Sequence, residues 1–139
     1  MLSTLLRVFL AGQLKPFCLN SGETPQFDSS LKNFGLYVHI PFCRWICPFC
    51  PYNKCLYRED KADEYCKALL LELLRYKEIF SSARIDSVYF GGGTPTSVTP
   101  KLVQLINRIK GLFNTGNCIG VEAHPNDLNP ENLRLLREA

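Results

Sequence analysis

A strand, a loop and a helix follow one another three times from residue 36 onward in this chain of 139 residues. The predicted strands are short apolar runs that end at a proline, at a run of glycines or at a histidine–proline pair: Leu36–Ile40, Ile85–Phe90 and Cys118–Glu122. Strands that alternate with helices in this way pair in parallel and are covered by the helices. The fold class that we predict is therefore α/β.

Each predicted helix has a start signal. Asp60 is the expected N-cap of a helix over 61–80, Thr99 that of the second helix, and Asn129 opens the third over 131–138. The second helix carries an apolar stripe of Leu102, Leu105, Ile106 and Ile109. A closed eight-stranded barrel needs about 250 residues. We therefore expect the N-terminal portion of a larger protein, and we expect these units alone to be inactive because they cannot close a site against water.

Three loops with unusual composition follow the ends of the predicted strands. The loop 41–58 holds four cysteines, the second strand runs into Gly91-Gly92-Gly93-Thr94, and Glu122 ends the third. In parallel α/β folds ligands bind at the carboxyl ends of the strands. We expect the three loops to meet at one edge of the sheet and to form an active site there.

The cysteine loop has the spacing of a metal centre. Cys43, Cys47 and Cys50 are arranged as C-x3-C-x2-C. A cubane iron–sulfur cluster usually takes four cysteines, so three would leave one iron open to a substrate or cosubstrate. The alternative is a structural zinc site, with Cys55 or a histidine as the fourth ligand.

Net charge, cysteine content and hydropathy limit the kinds of partner and the cellular compartment that we expect. The net charge is +3 and no basic stripe is present, so we expect no nucleic-acid partner. Seven cysteines, three of them crowded at metal-ligand spacing, favour a reducing, cytoplasmic setting over a disulfide scaffold. No apolar run approaches the roughly 18 residues of a membrane span.

The N-terminal residues 1–34 differ in character from residues 35–139, which we take as the core domain. Apolar residues recur at helical spacing at the start, and the segment 20–34 is polar and rich in turn-forming residues. We expect a short helix that packs on the domain, followed by a linker. An organelle-targeting peptide is the alternative.

Three stretches carry a resemblance to a known family. LYVHIPFCRWICPFC, YFGGGTPTSV and VEAHP resemble the core of radical S-adenosylmethionine (SAM) enzymes, and most of all the oxygen-independent coproporphyrinogen III oxidase family with its haem-chaperone-like branch. The likeness runs from Gly35 to the end of the chain. It implies a partial (β/α)6 barrel, of which this chain would be the N-terminal part.

The resemblance also implies two cofactors. Cys43, Cys47 and Cys50 would bind three irons of a [4Fe–4S] cluster, and the fourth iron would bind the methionine moiety of SAM. Further positions match family residues that contact SAM, namely Tyr37, Phe49, Gly92, Gly93, Thr94 and Glu122. Glycines suit this role because they let the backbone approach a charged ligand closely.

Each of the four non-glycine positions in this set also has a purely structural interpretation. Tyr37 can fill the inner face of the first strand, Phe49 can pack over the cluster, and Thr94 can cap the turn. Glu122 can form a salt bridge across the rim. His39 matches the family segment HIPFC, and we expect an interior histidine with satisfied hydrogen bonds rather than a cluster ligand.

One departure from the family pattern bears on the activity. Catalytic coproporphyrinogen oxidases usually have a further cysteine two residues after the third ligand, where this chain has Tyr52. The catalytic branch implies oxidative decarboxylation of propionate side chains on a porphyrinogen, with an electron donor such as a flavodoxin or ferredoxin. The alternative is a haem chaperone of the same family, and we assign no catalytic residue.

Overall fold

Three parallel strands form the main sheet of the computed structural model, which describes residue 28 and residues 30–139. The helix expected near the N-terminus lies outside the described residues. In chain order the strands are β1 (Asn33–Ile40), β2 (Phe42–Cys43), β3 (Cys55–Leu56), β4 (Arg84–Gly92) and β5 (Asn114–Val121). The main sheet has the order β1–β4–β5 and both of its pairings are parallel. The predicted α/β class with parallel strands is confirmed.

The helices follow the strands as expected: α1 (Glu59–Ile79), α2 (Thr99–Leu112) and α3 (Pro130–Glu138). Single 3-10 turns precede α2 at Pro95–Val98 and α3 at Pro125–Asp127. No helix within residues 30–139 is both long enough and apolar enough to cross a bilayer.

Two of the three predicted helix caps are wrong. Asp60 lies inside the first turn of α1, where its carboxylate pairs with Arg58 at 2.6 Å, and Arg58 occupies the cap position without a side-chain cap. Thr99 is the first residue of α2, and its hydroxyl donates to the Thr96 carbonyl of the preceding 3-10 turn. Asn129 does cap α3, since its side chain accepts a hydrogen bond from the Asn132 N–H at 2.8 Å.

The sequence did not predict the small sheet of β2 and β3, because 41–58 was expected to be one continuous loop. Phe42 pairs with Cys55 and Cys43 with Leu56, both in parallel. Backbone hydrogen bonds from Cys55 to Pro41 and from Tyr57 to Cys43 close the base of the loop at 2.8 Å each. Two-residue strands carry no periodicity, which is why the sequence could not reveal them.

The core lies on one face of the main sheet. Val38 and Ile40 of β1 are buried, together with Ile85, Val88 and Phe90 of β4. Helix α2 covers this face with its predicted stripe, and all four of its members are buried: Leu102, Leu105, Ile106 and Ile109. The alternation of β1 places Tyr37 and His39 on the opposite face, as the sequence predicted.

All three predicted strands begin earlier than predicted, at Asn33, Arg84 and Asn114. β5 begins at Asn114, four residues before the predicted start, and ends at Val121 rather than Glu122. The polar first half of β5 is held by its backbone pairing with β4. Gly116 lies against the backbone of Asp86 there, and a Cβ at Gly116 would be 2.6 Å from the Asp86 carbonyl oxygen. Glu122 still donates its N–H to Phe90 at 2.9 Å, so its side chain leaves directly from the end of the sheet.

Leu105→Ala is expected to lower the free energy of unfolding by about 2–5 kcal/mol, because it removes a side chain that is 1% exposed and leaves a cavity between α2 and the sheet. Urea denaturation followed by circular dichroism measures the change. The matched control is Leu71→Ala on α1, where the side chain is 65% exposed and the change should stay within about 0.5 kcal/mol. Equal losses in the two variants would contradict this description of the core.

Candidate functional site

Within residues 30–139, the face of the main sheet opposite the core is uncovered, and its aromatic side chains Tyr37 and Tyr89 are 56% and 46% exposed. Tyr37 of β1 is in register with Tyr89 of β4, and Tyr89 with Gly120 of β5. The two rings are stacked, with centroids 6.2 Å apart and planes 17° apart. The ring of Tyr89 lies over Gly120, where a Cβ would be only 2.6 Å from Tyr89 Cδ2. The two rings and the glycine give this face a flat aromatic surface.

Glu122 lies one step further along the same face and is held by two donors. The Tyr89 hydroxyl donates to Oε1 at 3.2 Å, and the backbone N–H of Gly92 donates to Oε2 at 3.1 Å. Gly91 makes room for the carboxylate, since a Cβ there would be 3.0 Å from Oε1. Within residues 30–139 no cation lies within salt-bridge distance of Glu122, so the salt-bridge alternative is not what the structure shows.

Glu122 also affects the titration of both tyrosines. Its hydrogen bond raises the pKa of Tyr89, to which burial adds a smaller effect. Partial burial raises the pKa of Tyr37, and the charge of Glu122 raises it further. Both phenols are therefore protonated at neutral pH and act as hydrogen-bond donors.

His39 links this face to the cysteine loop. Its Nε2 lies 2.9 Å from the carbonyl oxygen of Asn53, and its Nδ1 lies 3.2 Å from the hydroxyl of Tyr37. Because a carbonyl can only accept, Nε2 carries the proton and Nδ1 accepts from Tyr37. Both ring nitrogens are thus satisfied, as expected for an interior histidine.

The His39 imidazole also explains why residue 92 is a glycine. This residue has a φ of 120°, which strongly favours glycine, and a Cβ there would be 2.6 Å from His39 Cε1. Any side chain at position 92 would displace the His39 ring as well as strain the turn.

The turn after β4 lies directly against the first cysteine. Gly93 donates its N–H to Ile40 and Thr94 donates its N–H to Phe42, both at 2.8 Å. The Thr94 hydroxyl donates to Cys43 Sγ at 3.5 Å. A Cβ at Gly93 would be 2.9 Å from the same sulfur atom. The glycine turn, the start of the cysteine loop and Glu122 therefore lie at one edge of the sheet.

The four thiols of the cysteine loop are free and differ in exposure. Cys43 is buried, Cys50 is half-buried, and Cys47 and Cys55 are exposed. In the part of the chain that the structure describes, no three histidine, cysteine or acidic side chains lie close enough together to hold one metal ion. The assignment of Cys43, Cys47 and Cys50 as cluster ligands therefore stays a prediction.

Several large side chains of the cysteine loop face solvent. Phe49 is 86% exposed, and Trp45, Ile46 and Tyr52 are exposed beside it. Phe49 is therefore not packed into the part of the protein that the structure describes, and its ring is available to a ligand.

A polar cluster that the sequence analysis missed fastens the cysteine loop to the third unit. Arg44 Nε donates to Asp127 Oδ1 at 3.1 Å, and Arg44 Nη2 donates to the Ser97 carbonyl at 3.3 Å. The buried hydroxyl of Thr96 donates to the other oxygen of Asp127, also at 3.1 Å, and accepts from the His124 N–H. The only signal in the sequence was an arginine inside the cysteine motif and an aspartate after HPN.

The chain is similar to known proteins in sequence and in structure. The family described as the Radical SAM superfamily matches residues 37–139. The heme chaperone HemW of Bacillus subtilis (strain 168) is 37% identical over 107 residues, which are 74% of this chain and 28% of that protein. Oxygen-independent coproporphyrinogen III oxidase of Escherichia coli (strain K12) is 36% identical over 111 residues, which are 76% of this chain and 24% of that protein.

A solved structure is similar as well. It is that of coproporphyrinogen III oxidase (HemN) from Escherichia coli, described as a radical SAM enzyme, and it aligns with a TM-score of 0.71 at 32% identity. The alignment covers 79% of this chain and 26% of that one. The chain thus corresponds to part of the radical SAM fold and spans about a quarter of the length of these relatives. Because the family match covers residues 37–139, which are most of the sequence, the chain belongs to the radical SAM superfamily.

Proposed function

We propose that this chain binds a [4Fe–4S] cluster and SAM at the edge of the sheet where β1, β4 and β5 end, in a protein that acts on a porphyrinogen or on haem. The observation that carries the proposal is the contact between the glycine turn and Cys43, with Thr94 Oγ1 3.5 Å from the sulfur. This contact brings a turn suited to a charged amino acid moiety directly beside the first of the three thiols.

The residues present fit the cluster in their chemistry. Cys43, Cys47 and Cys50 are free thiols on one loop whose base is closed by the β2–β3 pairing. Each thiolate would take a different iron, which leaves the fourth iron for SAM. When bound, the cluster supplies the electron for reductive cleavage of SAM. The Thr94 hydroxyl would stay on the Cys43 sulfur, and hydrogen bonds to ligating sulfur tune the reduction potential.

The residues around the turn would hold SAM by different means. Glu122 would accept hydrogen bonds from the ammonium group or from ribose hydroxyls, since each of its oxygens retains a free acceptor position. Gly92 and Gly93 would let the backbone approach the ligand. The exposed ring of Phe49 would lie against the adenine, and Tyr37 would line the pocket with its hydroxyl held by His39.

The substrate class comes from the relatives, which are named as a heme chaperone and as coproporphyrinogen oxidases. We infer a porphyrinogen that loses carbon dioxide from its propionate side chains by oxidation, with SAM as the oxidant. A flavodoxin or ferredoxin in the cytoplasm would supply the electron that cleaves SAM. The flat face formed by Tyr37 and Tyr89 would suit a planar ligand.

A haem chaperone is the second candidate, and Tyr52 favours it. An exposed tyrosine occupies the position where the family resemblance implies a cysteine in the decarboxylating enzymes. Two assays on the full-length protein separate the candidates: decarboxylation of coproporphyrinogen III, and transfer of bound haem to an apo-acceptor. Transfer without decarboxylation would establish the chaperone, and the reverse result would establish the oxidase.

The zinc alternative predicts a different metal content. A structural zinc site would take Cys43, Cys47 and Cys50 with Cys55 or a histidine as the fourth ligand. Anaerobic purification followed by metal analysis tests this directly. Iron and sulfide are expected, and stoichiometric zinc without iron would reject the proposal.

Cys43→Ala, Cys47→Ala and Cys50→Ala are each expected to abolish iron loading, because each would remove one of only three cluster ligands. Cys55→Ala is the matched control, since Cys55 lies on the same loop but outside the C-x3-C-x2-C spacing. Iron and sulfide per chain after anaerobic reconstitution measure the outcome. Full loading after loss of any one of the three cysteines would refute the ligand set.

Gly92→Val and Glu122→Ala are expected to weaken SAM binding while iron content stays near the wild-type level. The valine side chain would collide with His39 at a position whose φ favours glycine, and the alanine would remove the carboxylate at the rim. Anaerobic calorimetry of the reconstituted protein gives the Kd for SAM.

Gly111→Ala on α2 is the control for the glycine change, because a Cβ there meets nothing within 4 Å. It should leave SAM binding and iron content unchanged. Wild-type affinity in both Gly92→Val and Glu122→Ala would show that the glycine turn and Glu122 do not form one SAM site.

A further inference from the structure

Tyr89 stands at the centre of the uncovered face, and neither the cluster nor the SAM contacts above use it. It lies on β4 between Tyr37 and Gly120, and its hydroxyl donates to Glu122. We propose that Tyr89 is a positioning residue that fixes the plane of the Glu122 carboxylate toward the bound ligand. This inference rests on the proposed SAM site.

The carboxylate needs two anchors to have a defined orientation. The last torsion of a glutamate side chain is broad and is poorly fixed by rotamer preference. The Gly92 N–H holds Oε2 at 3.1 Å, but one hydrogen bond would still let the carboxylate turn about that contact. The Tyr89 hydroxyl holds Oε1 at 3.2 Å and so determines the plane.

Tyr89 is itself held in place, although its side chain lies on an open face and the residue is 46% exposed. Its ring stacks on Tyr37 at 6.2 Å and lies over Gly120, where no other residue would leave it room. These contacts belong to the ring and not to the hydroxyl. Replacement by phenylalanine therefore removes the donor and retains the packing.

The fixed carboxylate presents its remaining acceptor positions to a ligand. An ionised carboxylate has about four acceptor positions, and the two donors of the protein fill two of them. The groups that fit the other two are hydrogen-bond donors, either an ammonium group or a pair of vicinal hydroxyls. SAM carries both, the ammonium group on its methionine moiety and the hydroxyls on its ribose, on opposite sides of the sulfonium.

Tyr89→Phe is expected to weaken SAM binding about tenfold, because a ligand that binds to a mobile carboxylate must first order it. The Kd is measured by anaerobic calorimetry on the cluster-loaded protein, with iron content and the urea midpoint measured on the same samples. Both of those should equal the wild-type values. Tyr76→Phe is the matched control, since the Tyr76 hydroxyl donates to Glu72 on α1 and the same atom is lost away from the site.

A double-mutant cycle separates positioning from direct contact. If Tyr89 acts only through Glu122, Tyr89→Phe should have no further effect on the Kd when Glu122→Ala is already present. Competition by methionine and by 5′-deoxyadenosine shows which donor is involved. Tyr89→Phe should weaken methionine if the carboxylate receives the ammonium group, and 5′-deoxyadenosine if it receives the hydroxyls.

The outcomes distinguish this inference from the proposed function. Absence of SAM binding by the wild-type protein would overturn the proposed function and this inference with it. Wild-type affinity in Tyr89→Phe, when Glu122→Ala weakens binding, would overturn this inference alone. Additive losses in the double variant would also overturn it, because Tyr89 would then contact the ligand directly.

Discussion

Two backbone hydrogen bonds, from Gly93 to Ile40 and from Thr94 to Phe42, hold the candidate site together. They continue the parallel pairing of β1 and β4 past the ends of both strands. The turn after β4 therefore lies against the segment that leads from β1 into the cysteine loop. The approach is close enough to require glycine, since a Cβ at Gly93 would be 2.7 Å from the Pro41 carbonyl. The contact between Thr94 and Cys43 follows from this register.

The two faces of the main sheet have different roles, one in the core and the other in the candidate site. One face is apolar, is covered by α2 and carries the buried apolar side chains of β1 and β4. The other face carries Tyr37, His39, Tyr89 and Glu122, whose polar atoms bond to one another, to Gly92 or to the cysteine loop. A side chain on this face therefore contributes little to the core, and its substitution can change ligand binding without unfolding the protein.

The structural features that depend on a few consecutive residues could be predicted from the sequence. The alternation of β1, the apolar stripe of α2 and the Asn129 cap were each visible in a few consecutive residues, and each is confirmed. The Asp60 cap was wrong although its residue type suits a cap, because α1 begins two residues earlier than predicted and Asp60 pairs with Arg58 instead. The features that the sequence did not reveal depend on contacts between distant residues: Arg44 meets Asp127 across 83 positions of the chain, and Tyr89 meets Glu122 across 33. The strand ends could be expected to share an edge of the sheet, but which side chains touch there depends on the register, which no single stretch of sequence specifies.

In the proposed site, three cysteines leave one iron of a cluster open beside the glycine turn. The most direct test is the electron paramagnetic resonance spectrum of the reduced, reconstituted protein with and without SAM. A [4Fe–4S] signal that changes when SAM is added is the result expected for ligation at the open iron. A [4Fe–4S] signal that SAM leaves unchanged, or a protein that holds zinc in place of iron, would contradict the account.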